Sequence, residues 1–417
     1  MRVAHIITRM IIGGAQENTL LNCLDLAEHH DDQVLLITGP SQGPEGDLLQ
    51  RAGLSFDETH RRGGAGELRL QLVPTLVRNI HPPSDWKAAK SLRQILREFQ
   101  PDIVHTHSAK GGLLGRKVAW GLRQNPSTGG RVGGDCPIVV HTVHGAPFHE
   151  FQPRLVREFF RRCERYAASR CHHLISVADA MTELMVSAGV APASKFSTIY
   201  SGMDVEPFLA ADSHRTDARR ELGIEDDQVV IGKIARLFHL KGHDDLVAAA
   251  SKVVQKHPRV VFLLVGDGIL REELQQSIAA QGMEENFRFA GLVAPTKVPR
   301  LIGAMDALVH TSLREGLARA LPQSLIAGKP AVSYDIDGAR EVVIDGETGF
   351  LIRPREIDSL AVALGKLVED SELRQSLGGA GQRRFTEQFR HQTMTAQIRK
   401  LYEQLLGNKP LGKASLG

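Results

Sequence analysis

Two cations and an acid are the most chemically suggestive residues in this chain. Arg236 and Lys241 stand five residues apart in the run Arg236-Leu-Phe-His-Leu-Lys241-Gly242, just after an apolar segment ending at Ile234. A planar guanidinium fork and a compact ammonium in one loop can clamp a diphosphate from two sides. Two solvated loop charges are the plainer reading. Glu315 opens Glu315-Gly316-Leu317-Ala318 after an apolar run ending at His310. A carboxylate accepts hydrogen bonds from hydroxyls, and free amides at a helix N-terminus bind anions. The spacing predicts a helix that carries Gln323 about two turns on, on the same face as Glu315. An exposed helix-start acid and a surface amide are the alternatives.

Other positions offer less. Gly13 and Gly14 lie between the first apolar run and a helical pattern, where glycine lets backbone approach a ligand. The spacing is not that of the dinucleotide fingerprint GxGxxG, and a tight turn explains it equally. His144, in His141-Thr-Val-His144-Gly145, ends another apolar run and is either catalytic or structurally hydrogen bonded. His105-Thr-His107 has a metal-like spacing but no accompanying carboxylate or cysteine set, so no metal is expected.

These residues fall at the ends of strand-like runs that alternate with helical ones. Val3–Ile7, Gln33–Thr38, Ile103–His105, Ile138–Thr142 and His173–Ser176 read as strands. Helices are expected near Gln16–His29, Trp86–Glu98, Gly111–Leu122 and Leu155–Ala168. The pattern restarts with strands Gln228–Ile234, Val260–Val265, Phe287–Phe289, Ala307–His310 and Ala331–Tyr334, and helices Asp244–Lys256 and Arg271–Ala280. Such βα alternation builds parallel sheets covered by helices. It predicts an α/β chain of two doubly wound domains, 1–205 and 206–390, joined near Tyr200–Pro207. Gly-rich loops are expected at Arg62–Gly66 and Pro126–Gly134, and a frayed tail after Gly407.

Composition narrows the function. With 42% hydrophobic and 24% charged residues, 417 residues can build sizeable cores. Lys plus Arg is 51 and Asp plus Glu 48, a net charge of only +3, which argues against a nucleic-acid partner. Four cysteines without CxxC spacing suggest a reducing compartment. MRVAHIITRM reads as a buried strand rather than a signal peptide, and no run approaches a membrane span. A cytoplasmic protein is expected.

In order, the segments GGA, HTHSAKGGLLGR, HTVHG, ISVADAM, IYSGMDVEPF, ARLFHLKG, LLVGDG, FAGLV and SLREGLARALPQSLIAGKPAV resemble the retaining glycosyltransferases of family 4, bacterial enzymes of surface-polysaccharide assembly in particular. The resemblance spans nearly the whole chain. It implies the GT-B fold: two Rossmann-like domains facing across a cleft, the first for the acceptor and the second for a nucleotide-sugar donor. A final helix at 391–406 would pack back on the first domain. It implies that Arg236 and Lys241 hold the donor diphosphate and that Glu315 binds its sugar, with Gly316, Leu317 and Ala318 supplying amides. Gly13 and Gly14 would approach the diphosphate, His144 would sit near the sugar, and backbone at Ala290, Gly291 and Leu292 would meet the base. Catalysis would involve His144, Arg236, Lys241 and Glu315, retain the anomeric configuration and need neither metal nor cofactor. The acceptor would be a glycan or glycolipid.

One position departs from the family. A second Glu, which binds the ribose, is replaced by Gln323; an amide keeps an acceptor oxygen but loses charge assistance. Alternatives remain: a non-catalytic nucleotide-sugar-binding protein, an epimerase or phosphorylase of the same fold, or a nicotinamide-dependent oxidoreductase, against which the missing fingerprint counts. Leu155, Phe159, Phe160, Cys163 and Ala167 recur at helical spacing among Arg154, Arg157, Arg161, Arg162 and Arg165. That is either a face for peripheral contact with the inner side of an anionic membrane or a helix packed on its sheet.

Overall fold

The computed structural model describes residues 1–41, 46–56, 58–60, 65–124 and 136–407. The glycine-rich stretch expected at Pro126–Gly134, most of that at Arg62–Gly66, and the tail after Gly407 lie outside the described residues. Chain contacts divide the molecule into two units, Met1–Met203 with the chain from Arg390 onward, and Asp204–Phe389.

The first unit is built on eight strands: β1 (Arg2–Arg9), β2 (Gln33–Gly39), β3 (Thr59–His60), β4 (Glu67–Leu72), β5 (Ile103–His107), β6 (Ile138–Val143), β7 (His173–Ser176) and β8 (Phe196–Thr198). Their order is β3-β4-β2-β1-β5-β6-β7-β8, parallel except for β3. Strands 1, 2, 5 and 6 are almost wholly buried, as near-continuous Val, Ile and Leu runs under helices on both faces require. The order reverses direction between β1 and β5, and in such sheets ligands bind outside the strand ends at that point.

The last helix, His391–Gly407, belongs to this unit. Met394, Ile398, Leu401 and Tyr402 join the core formed by β1, β2 and the helix Gly14–His30. Asp25 on that helix accepts from His391 Nδ1 at 2.8 Å and Thr395 Oγ1 at 2.9 Å. Asp32 accepts from Arg399 Nε at 3.0 Å and the N-terminal amine at 2.6 Å. Gly202 lets the chain pass close: a Cβ there would stand 2.5 Å from His391 Cα.

The second unit holds six parallel strands, β9 (Val230–Ile234), β10 (Val261–Val265), β11 (Phe287–Gly291), β12 (Ala307–His310), β13 (Ala331–Tyr334) and β14 (Gly349–Ile352), ordered β11-β10-β9-β12-β13-β14. The reversal falls between β9 and β12. Its core gathers Phe262, Leu264, Val309, Val332, Leu360 and Leu364 from the strands and from helix Ile357–Glu369.

Helices absent from the sequence expectation, Asp179–Ser187, Ile357–Glu369 and Ser371–Phe385 among them, complete the layers. The expected amphipathic helix spans Arg154–Ala168. Only its C-terminal half packs: Glu164, Ala167 and Ala168 are buried, while Leu155 is 86% and Phe159 53% exposed.

Candidate functional site

In the second unit, the loop leaving β9 carries Arg236 and Lys241, and the loop leaving β12 carries Glu315. These strands are neighbours at the reversal point, so segments about 75 residues apart meet. Lys241 Nζ donates to Glu315 Oε1. Arg236 is exposed, its guanidinium 5.0 Å from the Phe238 ring centre, where the ring's quadrupole favours a cation.

Both loops are held from beneath. Lys233, buried in β9, donates to Thr311 Oγ1 at 2.6 Å, and that hydroxyl donates to the Gly242 carbonyl at 2.5 Å. Gly242 caps the helix His243–Lys256 at φ +61°; a Cβ there would lie 2.0 Å from the Thr311 carbonyl oxygen, so only glycine fits. His243 Nε2 donates to the Arg236 carbonyl at 3.0 Å, which fixes its tautomer. Leu313 N–H donates to the Leu240 carbonyl at 2.8 Å, although Leu240 sits at φ +66°. Asp337 accepts the Glu315 N–H at 2.6 Å, and Gly338 N–H donates to the Gly316 carbonyl at 3.1 Å.

Burial dominates the electrostatics. It pushes the Lys233 ammonium down to about 7, with repulsion from Lys241 adding and Glu315 and Asp245 opposing. Burial, then Lys233, lowers His243 to about 4, and His310 is likewise pushed well below the usual imidazole range. Both rings are therefore neutral at pH 7.

The expected helix start at Glu315 is not observed. The helix spans Ala320–Ile326 with Arg319 at its N-cap, so Gly316, Leu317 and Ala318 lie in the approach and Glu315 lies in a loop. Glu315 and Gln323 therefore do not share a helix face. The bonds from Asp337 and Gly338 hold this segment out of helical geometry. Gln323 is half-buried on the helix proper. Ala290 and Gly291 end the edge strand β11, two strands from β9; Gly291, at φ +69°, accepts from Gly266 N–H at 2.9 Å, and Leu292 is 77% exposed.

In the first unit, Gly13 caps the helix Gly14–His30 in extended backbone, φ −179°, a conformation open to any residue. His144 follows β6, and its Nε2 meets His107 Nδ1 at 3.2 Å. A cavity of about 50 Å³ beside it is lined by Ser108, His141, Thr142, Gly145 and Glu164. His5, His105 and His107 bring ring nitrogens within 4.8 Å of one another. His105, however, uses Nδ1 on Tyr402 Oη at 2.5 Å and Nε2 on Thr142 Oγ1 at 2.7 Å. A three-histidine metal set would be one ligand short.

Sequence reasoning missed Lys233, Thr311, Asp337, His5 and a positional role for His107. The available signal for Lys233 was a charge inside the strand-like Val-Val-Ile-Gly-Lys-Ile run.

A family model described as Glycosyltransferase Family 4 matches residues 13–207, and one described as Glycosyl transferases group 1 matches 214–384. The chain is 29% identical over 375 residues, 89% of each chain, to the UDP-Gal:alpha-D-GlcNAc-diphosphoundecaprenol alpha-1,3-galactosyltransferase of Escherichia coli. It is 26% identical to the 2-deoxystreptamine N-acetyl-D-glucosaminyltransferase of Streptomyces fradiae, over 87% of this chain and 84% of that one. Anabaena HepE in complex with UDP matches with a TM-score of 0.78 at 22% identity, covering 97% of this chain and 100% of that one.

Proposed function

This chain belongs to glycosyltransferase family 4, with the GT-B fold, and we propose that it transfers a hexose from a UDP-sugar to a hydroxyl of a lipid-linked glycan with retention at the anomeric carbon. That it is a glycosyltransferase using a nucleotide sugar follows from the family. The finer reading is supported chiefly by one observation: Lys241 and Glu315 meet at the reversal point of the second sheet, with Arg236 on the same loop as Lys241. A cation for phosphate and an acid for sugar hydroxyls side by side suit a glycosyl diphosphate.

In the proposed reaction Arg236 and Lys241 bind the diphosphate. As the bond from C1 to the phosphate oxygen breaks, they stabilise the charge gathering on the leaving group. Side-chain cations fill that role, so no metal is required. Glu315 accepts hydrogen bonds from sugar hydroxyls, orienting the ring, and amides of Gly316, Leu317 and Ala318 assist. Gln323 contacts the ribose, and backbone at Ala290–Leu292 the base. The acceptor oxygen attacks C1 on the face the phosphate leaves, and its proton passes to the departing phosphate oxygen. No second carboxylate is needed as nucleophile.

The lipid-linked acceptor accords with the E. coli relative's name and with the helix Arg154–Ala168. Phe151, Leu155, Val156 and Phe159 are exposed beside Arg154, Arg157 and Arg162. Apolar side chains among cations suit an anionic bilayer surface. No described helix is long and apolar enough to cross a membrane.

The test is transfer of labelled hexose from a panel of UDP-sugars to a polyprenyl diphosphate-linked sugar, with co-sedimentation on phosphatidylglycerol vesicles. Salt-sensitive vesicle binding that Leu155→Glu with Phe159→Glu abolishes supports the membrane contact; binding unchanged by both ends it. UDP binding without transfer to any acceptor would leave a non-catalytic binding protein.

A further inference from the structure

In the second unit a cavity of about 260 Å³ opens among polar side chains alone. Asp306 directly precedes β12 and Lys329 stands two residues before β13. The cavity therefore lies at the N-terminal ends of these strands, opposite to the ends from which the loop of Glu315 departs. Arg215, Lys329 and Arg374 line it, with Asp212 and Asp306 as its acids. No apolar side chain is among the described residues that line it. An apolar ligand would have nothing to pack on there, and a charged one would find partners.

The charges there do not cancel. Asp306 accepts from Arg215 Nη2 at 2.6 Å, from Arg219 Nη2 at 2.7 Å and from the Val230 N–H at 2.7 Å, so its charge is taken up within the fold. Arg374 spends Nη1 on the carbonyls of Leu367 and Val368. Its Nε and Nη2, the Ser371 hydroxyl and the Gln375 amide have no hydrogen-bond partner among the described residues. Lys329 is buried, and its ammonium meets a single acid, Asp212 Oδ1, at 2.6 Å. An ammonium has three protons to donate, so two are unused. The Asp212 side chain is 66% exposed. The lysine thus needs an anion, while its present partner stays well solvated and is easily given up.

We propose that this cavity binds a phosphate dianion, free or as the monoester of a small polar molecule, which takes Lys329 from Asp212 and bonds Arg374 and Ser371 as well. Four cations, Arg215, Arg219, Lys329 and Arg374, face two acids. Two positive charges are left over, which matches a phosphate group of charge about −2 with three strong acceptor oxygens. A guanidinium edge and an ammonium are the usual partners of such a group. At about 260 Å³ the cavity is just below the size usual for drug-sized ligands, roughly 300 Å³ upwards, which suits a phosphate carrying a small substituent. The polar lining gives a nucleobase no wall to stack on, so a nucleotide is not the ligand. The inference stands apart from the glycosyl-transfer reading, since none of these residues belongs to the loops after β9 and β12.

The test is calorimetric titration of inorganic phosphate and of glycerol 3-phosphate into the full chain carrying Arg236→Ala and Lys241→Ala, which removes the competing cations at the other end of the sheet. One saturable site is expected, and the probe that binds more tightly tells free phosphate from an ester. In that background Lys329→Gln should weaken binding about tenfold, the scale of one charge-assisted bond. Asp212→Asn removes the competing charge from an exposed side chain and should tighten binding about three- to fivefold, the scale of an exposed ion pair. A bridge with only a structural role predicts no such gain. Absence of a saturable site for either probe, or an affinity that Asp212→Asn leaves unchanged or lowers, overturns the proposal; should Lys329→Gln not fold, Asp212→Asn decides.

Discussion

Lys233 and Thr311 face each other at 2.6 Å beneath the loops that carry Arg236, Lys241 and Glu315. The ammonium donates to the threonine hydroxyl, which donates onward to Gly242, so one buried lysine ties the loop after β9 to the end of β12. The geometry of the cation and acid above depends on this tie more than on their own contact, because a partly exposed ion pair is weak by itself.

Lys233 should leave a signature in stability against pH. Burial lowers it from 10.5 to about 7 in the folded chain. Between those values the unfolded chain holds the extra proton, so stability rises with pH across that window. The penalty is complete below pH 7, where both states are charged, and gone above 10.5, where both are neutral. Thermal unfolding of wild type and Lys233→Met from pH 6.5 to 10 should show the wild type gaining on the variant throughout. Parallel curves would mean that Lys233 is not perturbed.

Arg236→Ala and Lys241→Ala should each lower kcat by about 10²-fold, the usual scale for deleting one preorganised donor to a developing charge. Glu315→Gln keeps the shape and should raise the donor KM about tenfold, as for one charge-assisted bond. Steady-state kinetics with a UDP-sugar separate the two effects. A variant at 236 or 241 changing KM alone would mean that the cation binds ground state and transition state equally.

Gln323→Glu should tighten the donor by roughly three- to tenfold, since a charged acceptor bonds a hydroxyl about twice as strongly as a neutral one. Calorimetric titration with UDP measures this directly. An affinity that stays the same or falls would place the ribose away from this side chain.

Asp25→Ala removes the acceptor shared by His391 and Thr395, both on the last helix. A loss of about 2–3 kcal/mol is expected in urea unfolding, because two donors lose a buried charged partner. A change within about 0.5 kcal/mol would be that of an ordinary surface site.

The sequence made the central strands legible because they are continuous apolar runs, Val261–Val265 being typical. Glu67–Leu72 escaped because it alternates Glu, Arg and Gln with Leu, and Phe196–Thr198 because it is three residues long. The helix Ser371–Phe385 contains a Gly-Gly pair that breaks the local pattern; tertiary packing overrides it, with Gly378 set against the Gly328 carbonyl. Side chains whose type suggests chemistry, Arg236, Lys241 and Glu315, could be named from spacing alone. Those that hold them could not. Lys233 meets Thr311, and His5 meets His107, only through strand pairings that bring together residues 78 and 102 positions apart. The helix expected at Glu315 failed for the same reason, since Asp337 and Gly338, from beyond the next strand, keep that segment open.

Product stereochemistry tests the central claim most directly. Proton NMR of the glycoside formed from a UDP-α-hexose, recorded for wild type and for Arg236→Ala with Lys241→Ala, should show an α-linked product from the wild type and almost none from the double variant. A β-linked product, or wild-type turnover by the double variant, would contradict the account.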